Sequence, residues 1–411
     1  MSEEPADNLP LVTSPRQPLR VVSSVSAWYE ALDSLGSGEG PLAVDVERAS
    51  GFRYSQKAYL VQVYRRGSAN FLVDPLEVAD LSDLTHQFAG EEWVFHAASQ
   101  DLPSLRELGV EPVSIFDTEL GARIAGLPRV GLQGVVEDLL GISLKKAHSA
   151  ADWSTRPLPD DWLHYAALDV ELLPDLREGI HALLQKSNKL DLAREEFEAV
   201  LNFVPPERPA EPWRRLSGLH QVRGARALAV ARELWLAREE HAKDTDIAPG
   251  RLIPDRSIIA VAMEKPESKG ALAGLKSFQG RASRKELDRW WQAVERGLTT
   301  DDMPALRGPS TSLPPPRAWM DKAPDAHRRY VIAKDLITRV AESLTIPLEN
   351  VLTPDHLRKV CWAPDDERSP HALDAQLQNL GARRWQRDIV VPLLIEAFAE
   401  ARQVGTEAEP A

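Results

Sequence analysis

The chain has 411 residues, 43% of them apolar, and a net charge of −13, which is enough length for two or three cores of ordinary domain size. No apolar run reaches the roughly 18 residues of a membrane span, the first twenty residues lack an apolar signal-peptide core, and a single cysteine, Cys361, excludes an intrachain disulfide and a cysteine-built zinc site. A cytoplasmic protein with no membrane partner is therefore expected. The acidic total argues against binding phosphates, but residues 213–300 hold 17 Lys/Arg against 11 Asp/Glu, so local sign matters more than the sum.

Taken in chain order, residues 1–20 are polar and proline-bearing and are expected to be a disordered tail. Leu42 to Glu47 predicts a strand, in which Asp45 and Glu47 project to one face while Val44 and Val46 point to the other. Two acids crowded on one strand face repel each other, and a divalent cation is the usual reason to tolerate them. A lone Asp-x-Glu is more often a solvated face, so the weight falls on the acids further along the chain. Tyr59–Tyr64 and Asn70–Val73 predict two further strands joined by a turn at Arg66-Gly67-Ser68, which makes an antiparallel meander. Another strand is predicted over 93–96, followed by a helix with Ser99 as N-cap and Pro103 in its first turn. Asp101 there is either a first-turn acid facing the helix dipole or a metal ligand. A short strand is expected near Ser114-Ile115. A helix starting at Pro159-Asp160 places Tyr165 and Asp169 one turn apart on one face. The pair suits a tyrosine holding water beside an aspartate-bound metal, or simply an amphipathic helix with a half-exposed ring.

Two proline-rich stretches, 204–212 and 299–317, read as stiff linkers. They divide the chain into an α/β domain over 21–203 with a mixed sheet flanked by helices, and all-helical units over 213–298 and 318–402, with a short disordered tail over 403–411. Helices are predicted over Val222–Ala242, Asp255–Met263, Gly270–Ala273 and Arg284–Arg296. Ile346 to Asp355 echoes Ile247 to Asp255, which suggests a diverged repeat.

Asp45, Glu47, Asp101, Tyr165 and Asp169 stand within longer stretches: Val44–Glu47, Val94–Leu102, Phe116-Asp117-Thr118, Ala151–Leu158 and Tyr165–Val170. Over about residues 20–200 this resembles the DEDD superfamily of 3′–5′ exonucleases, in its tyrosine-bearing branch, and within it the ribonuclease D family. One departure is Val46, where the family usually has threonine. Residues 213–298 look like an HRDC domain, the helical module that accompanies ribonuclease D, and 318–402 like a second one.

The resemblance implies a ribonuclease-H-like fold and a two-metal exonuclease. Asp45, Glu47, Asp101 and Asp169 would bind two Mg²⁺ or Mn²⁺, and Tyr165 would orient the attacking water. The expected partner is RNA with a free 3′ end, tRNA precursors in particular, and the expected state is a monomer. Lys57 and Gln62 are candidate contacts to the terminal nucleotide. His96 is a core histidine or a base, Trp153 a stacking platform or a loop anchor, and Arg156 a phosphate contact or a surface arginine. Arg223, Lys276 and Arg281 are candidate phosphate contacts, together with Arg214, Arg215, Arg226, Arg284 and Lys285. A DNA exonuclease of proofreading or Werner type uses the same motifs, since the 2′-hydroxyl contact is not readable from them. A non-catalytic RNA-binding adaptor would be expected to lose one of the acids, and none is lost.

Overall fold

The computed structural model describes residues 9–145, 150–308, 313–366 and 368–407. The strands are β1 (Leu11–Val12), β2 (Leu19–Val22), β3 (Glu39–Arg48), β4 (Ala58–Arg66), β5 (Asn70–Val73), β6 (Trp93–Phe95), β7 (Ile115–Asp117) and β8 (Ser143–Leu144). Six of them form one mixed sheet in the order β2-β5-β4-β3-β6-β7. The meander β3-β4-β5 is antiparallel, whereas β2 joins β5, and β6 and β7 continue from β3, in parallel. β4 is buried along nearly its whole length, which explains its almost unbroken apolar run. The carboxyl ends of the parallel neighbours β3 and β6 open side by side, the place where α/β sheets commonly hold ligands.

Three local expectations need correction. The segment over residues 9–20 is not a disordered tail: β1 pairs with β8, and the backbone N–H groups of Arg16 and Gln17 donate to the buried Glu171 carboxylate at 2.8 and 2.7 Å. Residues 1–8 lie outside the described residues. Ser99 is not the N-cap of the helix after β6; a 3₁₀ turn over Ala98–Gln100 precedes the helix Leu102–Arg106, and Asp101 occupies the cap position without capping. The last helix, Arg384–Glu407, runs into the expected tail, of which 408–411 lie outside the described residues.

The two helical units share one order of elements. A 21-residue helix (Ala225–Thr245, or Pro324–Leu344) leads into a four-residue helix (Pro249–Leu252, or Leu348–Val351) and then a longer one (Asp255–Glu264, or Pro354–Trp362). Their packing differs. The first closes its own core around Trp213, Leu234, Ile258, Phe278 and Trp290. The second shares a continuous core with the sheet domain, in which Trp319, Cys361, Trp385 and Phe398 are buried. Between the sheet domain and the first unit, residues 204–210 are exposed and carry no regular structure.

Candidate active site

Asp45 and Glu47 come from β3 as the alternation requires, with Val44 and Val46 buried behind them. Tyr165 and Asp169 come from the helix Asp160–Glu171. Asp101 is delivered by the turn after β6. That turn is fastened by Asp117, whose carboxylate accepts from the N–H groups of Ala97 and Ala98 (3.1 and 2.9 Å) and from Glu119 and Leu120 at the start of the next helix (3.0 and 3.1 Å). Ala97 takes a left-handed conformation, φ 66°, and the clamp on its N–H holds it there.

Carboxylate oxygens of Asp45, Glu47 and Asp169 lie within 4.8 Å of one another. Asp101 stands outside that triangle but lines the same cleft of about 530 Å³, along with Arg48, Phe52, His96, Gln100, Glu119 and Tyr165. Asp101 is 4% exposed and Asp169 8%, and Asp101 Oδ2 is buried with no hydrogen-bond partner among the described residues. Burial raises the Asp45 carboxyl to about 6 against the opposing pull of Arg48. Burial, then repulsion from Asp45 and its neighbours, lifts Glu47, Asp101 and Asp169 well above the usual carboxylate range. Four acids this crowded, with one partnerless oxygen, fit hard divalent cations, which take oxygen ligands and neutralise local charge.

Burial and then Asp169 raise the Tyr165 hydroxyl above its ordinary value. Tyr165 therefore keeps its proton at neutral pH. Gln62 stands opposite Asp45 in the β3–β4 register and donates to Asp45 Oδ2 at 3.3 Å. It is fully buried, so it positions the acid and does not reach a nucleotide.

The other candidates are separated by what they touch. Trp153 is fully buried, edge-on to Trp162 with ring centroids 5.2 Å apart, so it anchors a loop and offers no stacking face. Arg156 spends its donors on Asp74 (2.6 and 2.8 Å) and on the carbonyls of Tyr59, Trp153 and Thr155, which leaves none aimed at a phosphate. Lys57 lies over the Tyr59 ring at 5.2 Å and does not line the cleft. His96 does line it, with Nδ1 2.9 Å from Thr118 Oγ1, and burial lowers its pKa to about 4, so the ring is neutral. In the first helical unit Arg223, Lys276, Arg281, Arg284 and Lys285 are exposed. Arg226 instead donates to the Thr300 carbonyl at 2.7 Å, and Arg214 pairs with Glu211 at 2.7 Å.

Nothing in the sequence marks Arg48 as a site residue, because alternation turns it away from Glu47. The register shift between Glu47 and Arg48 brings it into the cleft, as bulges re-aim side chains.

Residues 20–185 match the model of a 3′–5′ exonuclease domain, 227–294 that of an HRDC domain, and 312–398 that of a 3′ to 5′ exonuclease C-terminal domain. The ribonuclease D of Acidiphilium cryptum is 30% identical over 316 residues, covering 74% of this chain and 79% of that protein. The chain belongs to the ribonuclease D family. Hydrolytic 3′–5′ exonuclease chemistry comes with that membership. A protein of known structure from Bifidobacterium adolescentis is 35% identical, with a TM-score of 0.87 over 95% of this chain and all of the other. The Escherichia coli RNase D structure, described as an exoribonuclease involved in structured RNA processing, shares the fold at 23% identity and a TM-score of 0.66, over 94% of this chain and 99% of that one. The last helical unit thus resembles the HRDC unit in element order while matching a model of its own.

Proposed function

We propose that the protein is a metal-dependent 3′–5′ exoribonuclease that releases nucleoside 5′-monophosphates from structured RNAs such as tRNA precursors. The observation that carries this reading is the meeting of Asp45, Glu47 and Asp169 within 4.8 Å, with Asp101 and Tyr165 lining the same cleft. The four acids would hold Mg²⁺ or Mn²⁺, which when bound make water a better nucleophile and stabilise a departing oxygen. Gln62 fixes the rotamer of Asp45. The Tyr165 hydroxyl orients the attacking water at the terminal phosphodiester. His96 is neutral and so adds no charge beside the phosphate. The exposed Arg223, Lys276 and Arg281 of the HRDC unit supply cations for the body of the RNA.

The test compares matched RNA and DNA oligonucleotides, each with a free or a blocked 3′ end, with and without Mn²⁺. RNA with a free 3′ end should be shortened stepwise, and the blocked RNA should persist. Asp169→Asn should abolish the activity. Tyr165→Phe should lower turnover by about two to four orders of magnitude. Mn²⁺ should raise the parent's melting temperature by mass action on the folded state, Tyr165→Phe should keep that rise, and Asp169→Asn should lose most of it. Preference for DNA would reassign the substrate, and activity surviving in Asp169→Asn would remove the site.

A further inference from the structure

The loop between β3 and β4, residues 49–57, forms one wall of the cleft: Ser50, Gly51 and Phe52 line it beside Asp45 and Glu47. On the exonuclease side the loop has a few ties. The N–H groups of Phe52 and Arg53 close onto the Ala49 carbonyl at 2.8 and 2.7 Å, Arg53 Nε donates to Ser154 Oγ at 2.8 Å, and Ser104 Oγ donates to the Gln56 carbonyl at 2.7 Å.

The HRDC unit grips the same loop. Arg251 Nε donates to the Gly51 carbonyl at 2.8 Å, and its guanidinium lies over the Phe52 ring, 3.8 Å from the centroid. The Ala248 N–H donates to the Phe52 carbonyl at 2.9 Å. The Asp246 carboxylate accepts from the Ser55 N–H at 2.8 Å and from the Tyr59 hydroxyl at 3.2 Å. The Tyr54 hydroxyl donates to Glu239 at 2.7 Å while its ring packs on the HRDC core. These partners fall on the last two turns of the helix Ala225–Thr245, the corner after it and the short helix Pro249–Leu252. Asp246 turns that corner in the left-handed conformation, φ 48°, which aspartate tolerates better than most residues.

We infer that Arg251 is a positioning residue for the exonuclease site: the HRDC unit holds Gly51 and Phe52 against the acid cluster. The unit therefore acts on catalysis even for an RNA too short to reach its basic surface. A guanidinium fits this role because it can stack on a ring and donate in its own plane at once, which an ammonium cannot. The effect on the reaction comes through Phe52, an aromatic wall where a base of the substrate strand can stack. This inference rests on the exonuclease reading of the cleft.

The test uses the full-length chain and a pentaribonucleotide with Mn²⁺. Arg251→Ala should lower kcat/KM by about tenfold, mostly in kcat, as expected when a wall of the site shifts. Arg251→Lys should stay impaired, because it keeps the charge but loses the fork. Phe52→Ala should lower kcat/KM at least as far, and Arg251→Ala in that background should cost little more, the signature of two residues acting as a unit. Amide hydrogen exchange over 50–57 should speed up in Arg251→Ala while exchange in the 225–245 helix stays as in the parent. Arg251→Met, which keeps the aliphatic stem, carries the same test should alanine unsettle the unit. Unchanged kcat/KM, losses that multiply in the double variant, or unchanged exchange over 50–57 would overturn the inference. The exchange readout needs no turnover: a parent that degrades no RNA but shows the faster loop in Arg251→Ala would sink the exonuclease reading and leave the grip intact.

Discussion

In both helical units a 21-residue helix ends on a left-handed residue, Asp246 in one and Thr345 in the other, and in both that corner touches the exonuclease domain. Asp246 meets it through hydrogen bonds at the rim of the cleft. Thr345 meets it over a close backbone approach: its carbonyl accepts from Lys189 Nζ at 3.4 Å and lies against Gly126. Around the second corner the contact becomes core. Trp385 donates to the Glu196 carboxylate at 3.0 Å, Arg383 pairs with the same carboxylate at 2.9 Å, and the apolar cluster runs unbroken from the sheet into the last unit. One local design thus serves two ends, with an independent core on a polar grip in one unit and shared burial in the other. The difference bears on truncation. A fragment ending near residue 205 would strip cover from the exonuclease core, so the boundary of the catalytic body lies in space and not at the first proline linker.

The largest effect expected from this contrast is in the shared core. Trp385→Ala should cost about 3–5 kcal/mol, the range for truncating a buried aromatic, and the loss should appear in urea melts that follow the exonuclease domain. A cost below about 1 kcal/mol would mean that the last unit is docked as loosely as the first. Next comes Gly126→Ala. Gly126 has φ 90°, and a Cβ there would lie 2.5 Å from the Thr345 carbonyl oxygen. The left-handed backbone alone costs about 1–2 kcal/mol for a residue with a Cβ, and the clash adds to it. A melting temperature equal to the parent's would show that the second corner gives way easily.

A pH effect of smaller size belongs to Glu196. Burial raises its pKa against the pull of Arg383 and Trp385, so the folded state binds the proton more tightly than the unfolded chain. Between the ordinary carboxyl value and the raised one the folded state carries more protons, and stability falls as pH rises through that window. Glu196→Gln should remove this slope, worth at most about 1.4 kcal/mol for each pH unit spanned. The difference between parent and variant in urea midpoints, taken from acid to neutral pH, isolates it. An identical pH dependence in the two proteins would contradict the assignment.

How far the site could be read from the sequence depends on the range of each determinant. Asp45 with Glu47, and Tyr165 with Asp169, were legible because strand and helix periods decide which side chains share a face, whatever lies around them. Asp101 was legible as the acid after the next strand, although the Asp117 clamp that delivers it was not, since its four N–H partners come from two segments. An aspartate just before Thr118-Glu119 does carry an N-cap signal. The roles of Trp153, Arg156 and Gln62 were set by tertiary burial, which no local pattern reports. Phe52 and Arg251 are 199 positions apart in sequence, on separate domains, and nothing in either segment announces the other. The fold was legible for a different reason: short connections force the β3-β4-β5 meander. The strap over residues 9–20 is not legible in the sequence because it is held by Glu171, far along the chain.

The smallest effect tests the polar grip itself. Tyr54→Phe removes the hydroxyl that donates to Glu239 and leaves the ring on the HRDC core. A single hydrogen bond of this partly exposed kind is worth about 1 kcal/mol, so the urea midpoint of the HRDC unit should barely move. Its own core is untouched. The loop should respond more than the unit does, because the grip is built of a few such bonds and each is a sizeable share of it. Amide exchange over 50–57 should therefore quicken in Tyr54→Phe, though less than in Arg251→Ala, where a hydrogen bond and a stacked guanidinium go together. If the variant instead destabilised the HRDC unit as strongly as Trp385→Ala destabilises the shared core, the two units would be joined to the exonuclease domain in the same manner, and the contrast between them would disappear.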